Sequence, residues 1–267
     1  MSFALLLVLL SHPTTPRRAP EPWHIELAPK VNSAKLRVEA STWKSAQREV
    51  SANKSRLEGG PETLQELRKS ILKEGPETGK KIALTFDDGP HLKATDDLIK
   101  ILKEEHVPAT FFVVGFMAEK YPNLVRSIKA AGFEIGNHSY SHVTLTKLTT
   151  EEILTEYKAN NDVIQRLTGA PARYCRPPGG DIDSEVVRNA AKLGMTTVLW
   201  TADPADYSNP KDDLLLDREV AKLDSGAIFL LHDGSKSTLA TLREFIHVAR
   251  KKGYKFVSLD EMRADTK

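Results

Sequence analysis

Two acidic residues and two histidines have the types and the spacing that could bind a divalent metal ion and accept a proton. Asp87 and Asp88 directly follow the apolar run Ile82–Phe86, and His138 and His142 lie four residues apart. Neighbouring carboxylates on an extended chain point in different directions, so one can bind a metal ion while the other accepts a proton. Two imidazoles at that spacing can bind one divalent ion together with a carboxylate from another strand. Each pattern alone also has a simpler interpretation, a turn for the acidic pair and surface or capping residues for the histidines.

The composition of the chain excludes some classes of partner and of metal site. The 267 residues are 40% hydrophobic and 28% charged, which is typical of a globular protein. The net charge of +2, without a cluster of basic and aromatic residues, gives no reason to expect a nucleic-acid partner. The single cysteine, Cys175, excludes an intramolecular disulfide and a cysteine-based zinc cluster, and we interpret it as a small buried hydrophobic residue. Any metal chemistry must therefore use histidines and carboxylates.

Alternating strands and helices are predicted to position these side chains. Three helical patterns end at a glycine, Gly132, Gly194 or Gly253, and an apolar run follows each of them. Thr149 and Glu152 predict a capping box at the start of a further helix. Seven strands are predicted: Ile82–Phe86, Thr110–Val114, Phe133–Ile135, the short stretch before Arg176, Met195–Trp200, Ala227–Leu231 and Lys255–Val257. The alternation predicts an α/β fold, either a parallel α/β barrel or a doubly wound sheet.

The remaining unusual polar residues also follow predicted strands. Arg176 follows the fourth strand, Asp203 and Asp206 follow the fifth, and His232 follows the sixth. Polar residues kept only for solubility would be expected on exposed helix faces instead. Because functional residues of parallel α/β folds gather where strands end, the placement predicts one shared polar site.

The N-terminal part of the chain has a different character. Residues 3–10 form an apolar run that is too short to span a bilayer, so residues 1–12 are interpreted as a possible signal segment, with part of a longer signal or a buried strand as alternatives. Residues 13–79 are rich in Pro, Ser, Glu and Lys and are interpreted as a linker or N-terminal extension, with a helix predicted over Pro61–Glu74. We expect a secreted or cell-envelope protein without a transmembrane span, and a cytoplasmic location stays open.

Five segments taken together resemble the ordered motifs of a known family. They are Thr85–Pro90, His138–His142, Arg176–Gly179, Asp203–Tyr207 and Leu230–Asp233. In this order they resemble the motifs of the polysaccharide deacetylases, the NodB-homology domain of carbohydrate esterase family four. The resemblance covers residues 80–263 and implies a distorted (β/α) barrel with about seven parallel strands. It also implies a divalent metal ion, Zn²⁺ first with Co²⁺ or others as alternatives, and removal of acetyl groups from glycans such as peptidoglycan, chitin-like polymers or acetylated xylan.

The resemblance assigns roles to the residues of the first three motifs. Asp87 would be the general base, and Asp88, His138 and His142 would be the metal ligands. Arg176 would anchor Asp87 and keep it ionised, because a planar guanidinium suits a carboxylate. The metal would polarise the acetyl carbonyl and lower the pKa of a water, so that a carboxylate of modest basicity could deprotonate it near neutral pH.

The later motifs would supply the general acid and the contacts to substrate. His232 would be the general acid, and the carboxylate of Asp206 would raise its pKa and keep it protonated. The backbone N–H of Gly179 would stabilise charge on the former carbonyl oxygen. Leu230 resembles the residue that lines the pocket for the acetyl methyl group, and Tyr207 resembles an aromatic residue beside the sugar groove, with core packing as the alternative for both. Gly179 stands where the family commonly has a larger side chain, which leaves the substrate range open.

The sequence is compatible with three functions, while it leaves the oligomeric state undetermined. The first is a metal-dependent deacetylase whose partner is an acetylated glycan. The second is a catalytically silent carbohydrate-binding barrel, although such decay usually removes the base or a metal ligand and neither is absent here. The third is an amidohydrolase that acts on a small molecule. A lid over the metal would favour the third function, and an open groove would favour the first.

Overall fold

The computed structural model describes residues 36–52 and 64–264, and these residues build a parallel sheet flanked by helices. The strands are β1 (Ile71–Leu72), β2 (Lys81–Gly89), β3 (Ala109–Val113), β4 (Glu134–Asn137), β5 (Tyr174–Cys175), β6 (Thr196–Val198), β7 (Ile228–His232) and β8 (Lys255–Phe256). The helices are α1 (Leu36–Ala52), α2 (Leu64–Lys69), α3 (Ala94–Glu104), α4 (Gly115–Lys120), α5 (Pro122–Ala130), α6 (Thr150–Thr168), α7 (Ser184–Lys192), α8 (Asp212–Ala221), α9 (Lys236–Lys251) and α10 (Leu259–Ala264).

The sheet has the order β1-β6-β5-β4-β3-β2-β7, and β8 pairs with β2. All of these pairings are parallel. After β6 the chain crosses to the opposite edge, where Ala202 forms a parallel bridge with Phe229 of β7. The amide of Leu230 donates to the carbonyl of Ala202 at 2.8 Å. This junction between the segment after β6 and strand β7 is called the seam. The predicted α/β fold with a distorted barrel is confirmed, and each of the seven predicted strands is present with somewhat different ends.

The strand that the sequence did not predict lies in the N-terminal extension. Helix α2 ends before Ile71 and Leu72, which pair with β6 instead of continuing the predicted helix Pro61–Glu74. The prediction was wrong for residues 70–74, which are not helical. For Ile71 and Leu72 the reason is that pairing with the sheet outweighs their helical spacing. The part of that helix before residue 64 lies outside the described residues. Because β1 belongs to the sheet, the fold begins before Lys80, where we expected the catalytic domain to start.

Helix α1 also lies within the segment interpreted as a linker. The possible signal segment at residues 1–12 lies outside the described ranges. Among the helices of those ranges, none combines the length and the apolar character needed to cross a bilayer.

Local sequence signals explain several helix ends. Gly132, Gly194 and Gly253 have φ values of 87°, 75° and 86°, and each follows a helix and precedes the next strand, as predicted. Helix α6 begins with the predicted capping box. The Thr149 side chain accepts from the Glu152 amide, and the Glu152 carboxylate accepts from the Thr149 amide. Each of these glycines therefore connects a helix to the amino-terminal end of the next strand.

Alternation along β2 determines which of its side chains reach the site. Ile82 and Leu84 belong to a hydrophobic cluster that includes residues of the flanking helices. Ala83 belongs to a second cluster, formed mainly by residues of the strands themselves. Because side chains alternate along a strand, Thr85 and Asp87 continue the row of Ala83. The strand therefore delivers Asp87 to the inner face of the sheet at its carboxyl end.

Candidate active site

Asp87 and Arg176 form a buried ion pair at the carboxyl ends of β2 and β5. Arg176 Nη1 lies 2.8 Å from Asp87 Oδ1 and 2.7 Å from Thr85 Oγ1. Its Nε and Nη2 donate to the carbonyl oxygens of Val198 at 3.2 Å and Leu199 at 3.1 Å. Burial lowers the pKa of Arg176, and the charge and hydrogen bond of Asp87 oppose that shift. These four contacts hold the guanidinium, which in turn fixes Oδ1 of Asp87.

Asp88, His138 and His142 bring three potential ligand atoms together. Asp88 Oδ1 lies 3.2 Å from His138 Nε2 and 2.9 Å from His142 Nε2. All three ligand atoms lie within 4.8 Å of one another. Asp87 Oδ2 is 3.7 Å from His138 Nε2, so it borders this cluster. Burial alone would raise the pKa of Asp88, but hydrogen bonds and charges of both histidines hold it well below its usual value. The Asp88 carboxylate is therefore ionised, as a metal ligand must be.

A hydrogen bond to the backbone decides which nitrogen of His138 faces this cluster. His138 Nδ1 lies 2.6 Å from the carbonyl oxygen of Arg176, which can only accept. Nδ1 therefore carries the hydrogen, and Nε2 is directed at the other ligand atoms. Two imidazole nitrogens and one carboxylate oxygen are a donor set of catalytic metal sites, which keep further positions for water and substrate. These three residues therefore fit a divalent metal ion.

The loop between the two histidines has an unusual backbone conformation. Ser139 and His142 have φ values of 61° and 58°, in the left-handed region that costs about 1–2 kcal/mol for each residue with a Cβ. Asn160 of α6 donates through Nδ2 to the carbonyl of Ser139 at 2.8 Å and to Asn137 Oδ1 at 3.1 Å. The amide of His142 donates to Ser139 Oγ at 3.0 Å. The ligand positions are therefore held by contacts within the loop and by a neighbouring helix.

His232, at the end of β7, is paired with Asp206. His232 Nδ1 lies 2.7 Å from Asp206 Oδ1, and Asp206 Oδ2 accepts from the His232 amide at 2.8 Å and from Thr238 Oγ1 at 2.6 Å. Burial alone would lower the pKa of His232. The hydrogen bond and charge of Asp206, together with the charges of Asp88 and Asp87, raise it to about 9. The imidazole is therefore protonated at neutral pH.

Three residues predicted to contact substrate lie at the same end of the sheet. The ring of Tyr207 meets His232 edge-on with ring centroids 5.7 Å apart, and Tyr207 is 41% exposed. Leu230 is buried on β7 two residues before His232, so the two side chains share a face. Gly179 has a φ of 68°, and a Cβ there would meet no atom within 4 Å. The space beside Gly179 is open, and contact of these three residues with substrate stays a prediction.

Sequence reasoning missed the support beneath the acidic pair. The amide of Asp233 donates to the carbonyl of Asp87 at 2.8 Å, and Thr95 Oγ1 donates to Asp233 Oδ2 at 2.6 Å. Burial raises the pKa of Asp233 to about 7. The amide of His91 donates to Thr95 Oγ1 at 2.8 Å. The sequence could have indicated a role for Asp233, because Asp233 directly follows His232. No sequence pattern indicates a role for Thr95.

Two other polar candidates have structural roles. Asp203 Oδ1 accepts from the amide of Ala205 at 2.7 Å and so stabilises the turn that leads to Asp206. Cys175 is buried with its Sγ 3.7 Å from Thr197 Oγ1, and burial raises the pKa of its thiol to about 12. A thiol with that pKa is a poor nucleophile, which agrees with the interpretation of Cys175 as a buried hydrophobic residue.

Comparison with known proteins shows which family the chain resembles. Residues 74–198 match the family model described as polysaccharide deacetylase. Over 194 residues the chain is 34% identical to a peptidoglycan-N-acetylglucosamine deacetylase of Bacillus cereus, and the match covers 71% of this chain and 91% of that relative. The chain belongs to the polysaccharide deacetylase family. The resemblance found in the five ordered motifs is confirmed.

This polysaccharide deacetylase is also similar to a protein named as an enzyme and to one described as a pseudoenzyme. A chitooligosaccharide deacetylase of Sinorhizobium fredii is 36% identical over 154 residues, which cover 57% of this chain and 72% of the relative. A solved structure from Bacillus anthracis, described as a carbohydrate esterase family four pseudoenzyme, has a TM-score of 0.71 at 31% identity and covers 73% of this chain and 69% of that one. A mutant of that pseudoenzyme is described as having restored enzymatic activity.

Proposed function

We propose that this polysaccharide deacetylase is an active, metal-dependent hydrolase that removes acetyl groups from N-acetylglucosamine units of peptidoglycan or a chitin-like polymer. The relatives named as peptidoglycan-N-acetylglucosamine and chitooligosaccharide deacetylases support this substrate class. The observation that carries the proposal is the convergence at one end of the sheet of Asp87, the three ligand atoms and the protonated His232.

Asp88, His138 and His142 would hold the ion, and we propose Zn²⁺. Imidazole nitrogen and carboxylate oxygen suit Zn²⁺ in a three-ligand site, with Co²⁺ as an alternative of similar ligand preference. When bound, the ion supplies Lewis acidity, which polarises an acetyl carbonyl and lowers the pKa of a water. Asp88 is ionised, and Nε2 of His138 is directed at the site. Burial alone would lower the pKa of His138, but Asp87 and Asp88 raise it, so binding of the ion would displace a proton from Nε2.

Asp87 is proposed as the general base. Its Oδ1 is held by Arg176, so Oδ2, which borders the ligand cluster, is the oxygen that would accept a proton from the attacking water. The guanidinium and the Asp87 carboxylate form a buried ion pair. The water oxygen then bonds to the acetyl carbon, and the backbone N–H of Gly179 would help to stabilise the resulting charge on oxygen.

His232 is proposed as the general acid. Asp206 accepts at Nδ1, so Nε2–H of the imidazolium is the proton that would pass to the leaving nitrogen. The carbon–nitrogen bond breaks with its electron pair on nitrogen, and the products are acetate and a free amine. Tyr207 would contact the sugar, and Leu230 would contact the acetyl methyl group.

The proposed substrate implies a location outside the cytoplasm. We therefore propose that the protein is exported or attached to the cell envelope, with residues 1–12 as a signal segment and with a catalytic domain that extends to about residue 263. A cell-fractionation experiment with the full chain would test this, and retention of the protein in the cytoplasm would contradict it.

Acetate release from defined glycans tests the function directly. The purified full chain, loaded with Zn²⁺ or Co²⁺, is incubated with peptidoglycan, chitooligosaccharides and acetylxylan. We expect release from an N-acetylglucosamine polymer, loss of the activity with a chelator, and a loss of about 10²–10⁴-fold for Asp87→Asn. Asp97→Asn, on the exposed side of α3, is the matched control and should keep full activity.

The same assay separates the alternatives. A metal-loaded protein that binds these glycans but releases no acetate would be a silent carbohydrate-binding barrel. Release only from small N-acetylated compounds would indicate a small-molecule amidohydrolase. Activity that resists the chelator would contradict the proposed metal site.

A further inference from the structure

Helix α1 has an apolar stripe that joins the core of the described structure. Ala46 and Val50 are buried, Ala46 belongs to the larger hydrophobic cluster, and Trp43 packs against that cluster. Their spacing places them on one face of the helix, and this face contacts α6. The family match begins at residue 74, so α1 lies outside it. The helix therefore belongs to the part of the described structure that the family model does not match.

Two side chains of α1 donate hydrogen bonds to carboxylates of the barrel. Trp43 Nε1 donates to Glu156 Oε1 at 3.1 Å, and Thr42 Oγ1 donates to Glu119 Oε1 at 2.7 Å. Glu156 is buried on α6, and Glu119 also accepts from Arg166 Nη2 at 2.7 Å. The helix thus makes specific polar contacts in addition to apolar packing.

Both carboxylates hold the residues that lie between the two proposed ligand histidines. Glu156 Oε2 accepts from the amides of Tyr140 at 3.0 Å and Ser141 at 2.8 Å, and Glu156 Oε1 accepts from Ser141 Oγ at 2.6 Å. Glu119 Oε2 accepts from the hydroxyl of Tyr140 at 2.8 Å. A chain of direct contacts therefore runs from α1 to the loop that carries His138 and His142.

This loop needs such support because its backbone is strained. Ser139 and His142 both have positive φ values. Conformations of this kind persist only when the surroundings determine them. Hydrogen bonds to a carboxylate are stronger where water is excluded, and the indole of Trp43 contacts Glu156 on the side of α1.

We propose that α1 positions the metal-ligand loop, with Trp43 and Thr42 acting through Glu156 and Glu119. Trp43 and Thr42 are positioning residues, since neither touches a proposed ligand. The inference rests on the proposed assignment of His138 and His142 as metal ligands. It predicts that the affinity for metal depends on a helix outside the family match.

Metal affinity of the full chain tests this inference without reference to turnover. Trp43→Phe removes the N–H donor and keeps an aromatic ring, and Thr42→Val removes the hydroxyl at similar volume. The dissociation constant for Zn²⁺ is measured by competition with a chromophoric chelator, and the visible absorption spectrum of the Co²⁺ form reports ligand geometry. Partners that touch a ligand typically change metal affinity by about 10–100-fold, so for these more remote residues we expect a weakening of about 3–10-fold, greatest in the double variant.

Matched variants make the result decisive. Gln47→Ala, at an exposed position of α1, should leave the Zn²⁺ affinity and the Co²⁺ spectrum unchanged. Glu156→Gln should weaken Zn²⁺ binding more than Trp43→Phe does, because it alters the acceptor itself. If Trp43→Phe and Thr42→Val lower the melting temperature but leave affinity and spectrum unchanged, α1 only stabilises the fold and the inference is wrong. If the unaltered chain binds no Zn²⁺, the proposed metal site fails and the inference fails with it.

Discussion

Replacing Asp206 by asparagine should move the alkaline limb of the activity profile to lower pH. The variant keeps the size of the side chain and an oxygen that can accept from the imidazole, but it removes the negative charge. That charge and its hydrogen bond are the strongest contributions that raise the pKa of His232 against the effect of burial. As the proposed general acid, His232 works only while it is protonated, so activity should fall as pH rises through its pKa.

The size of the effect follows from two pKa values. The rise from 6.5 to about 9 corresponds to about 3 kcal/mol of preference for the protonated imidazole. At pH 8, about 90% of His232 is protonated with the higher pKa and about 3% with the lower one. We therefore expect Asp206→Asn to lose about 30-fold in kcat/KM at pH 8 and much less near pH 6.

A pH series of kcat/KM for acetate release checks this prediction. Asp203→Asn is the control. Asp203 is an acidic residue close in sequence to Asp206, but its carboxylate accepts from the amide of Ala205 and is not among the groups that shift the pKa of His232. Its alkaline limb should coincide with that of the unaltered enzyme. An Asp206→Asn profile that is lower by the same factor at every pH would refute the electrostatic role and indicate that Asp206 only orients the imidazole.

Further predictions concern buried groups around the centre. Arg176→Met should lower the free energy of unfolding by about 3–5 kcal/mol, because Asp87 would remain buried without its partner, and urea denaturation would measure it. Gly179→Ala should cost about 1 kcal/mol through its positive φ alone, whereas Gly180→Ala should cost more because its Cβ would overlap a tryptophan ring. Equal unfolding energies for the two variants would contradict this difference. Cys175 should not react with a thiol reagent at pH 8 in the native protein and should react in urea, and rapid native labelling would show that the thiol is accessible.

The catalytic end of the fold was predictable because its signals are local. Each predicted strand has an apolar run, and each important polar residue lies in the segment that follows such a run. The rule that strand ends meet therefore places Asp87, His138 and His232 together without knowledge of the packing. The glycine caps and the capping box of α6 are equally local.

The features that were missed depend on contacts between distant parts of the chain. A strand of two residues, Ile71 and Leu72, has no periodicity of its own and forms because β6 offers an edge. In the sequence, Glu156 resembles any acidic residue of an amphipathic helix. In the structure it is buried, and hydrogen bonds from the loop and from Trp43 satisfy its carboxylate. Its role becomes visible only when α1 and α6 are packed together.

The seam after β6 couples assembly of the molecule to its reactivity. The same short stretch supplies the carbonyl of Leu199 to Arg176, places the Trp200 ring 5.4 Å from that guanidinium, and joins Ala202 to Phe229. A chain in which the two edges had not met would lack part of the contacts that hold Arg176 against Asp87, the proposed general base. Half-assembled molecules should therefore be inert towards any acetyl group, and a circular permutation that opened residues 199–202 should abolish turnover even where the separate pieces still associate.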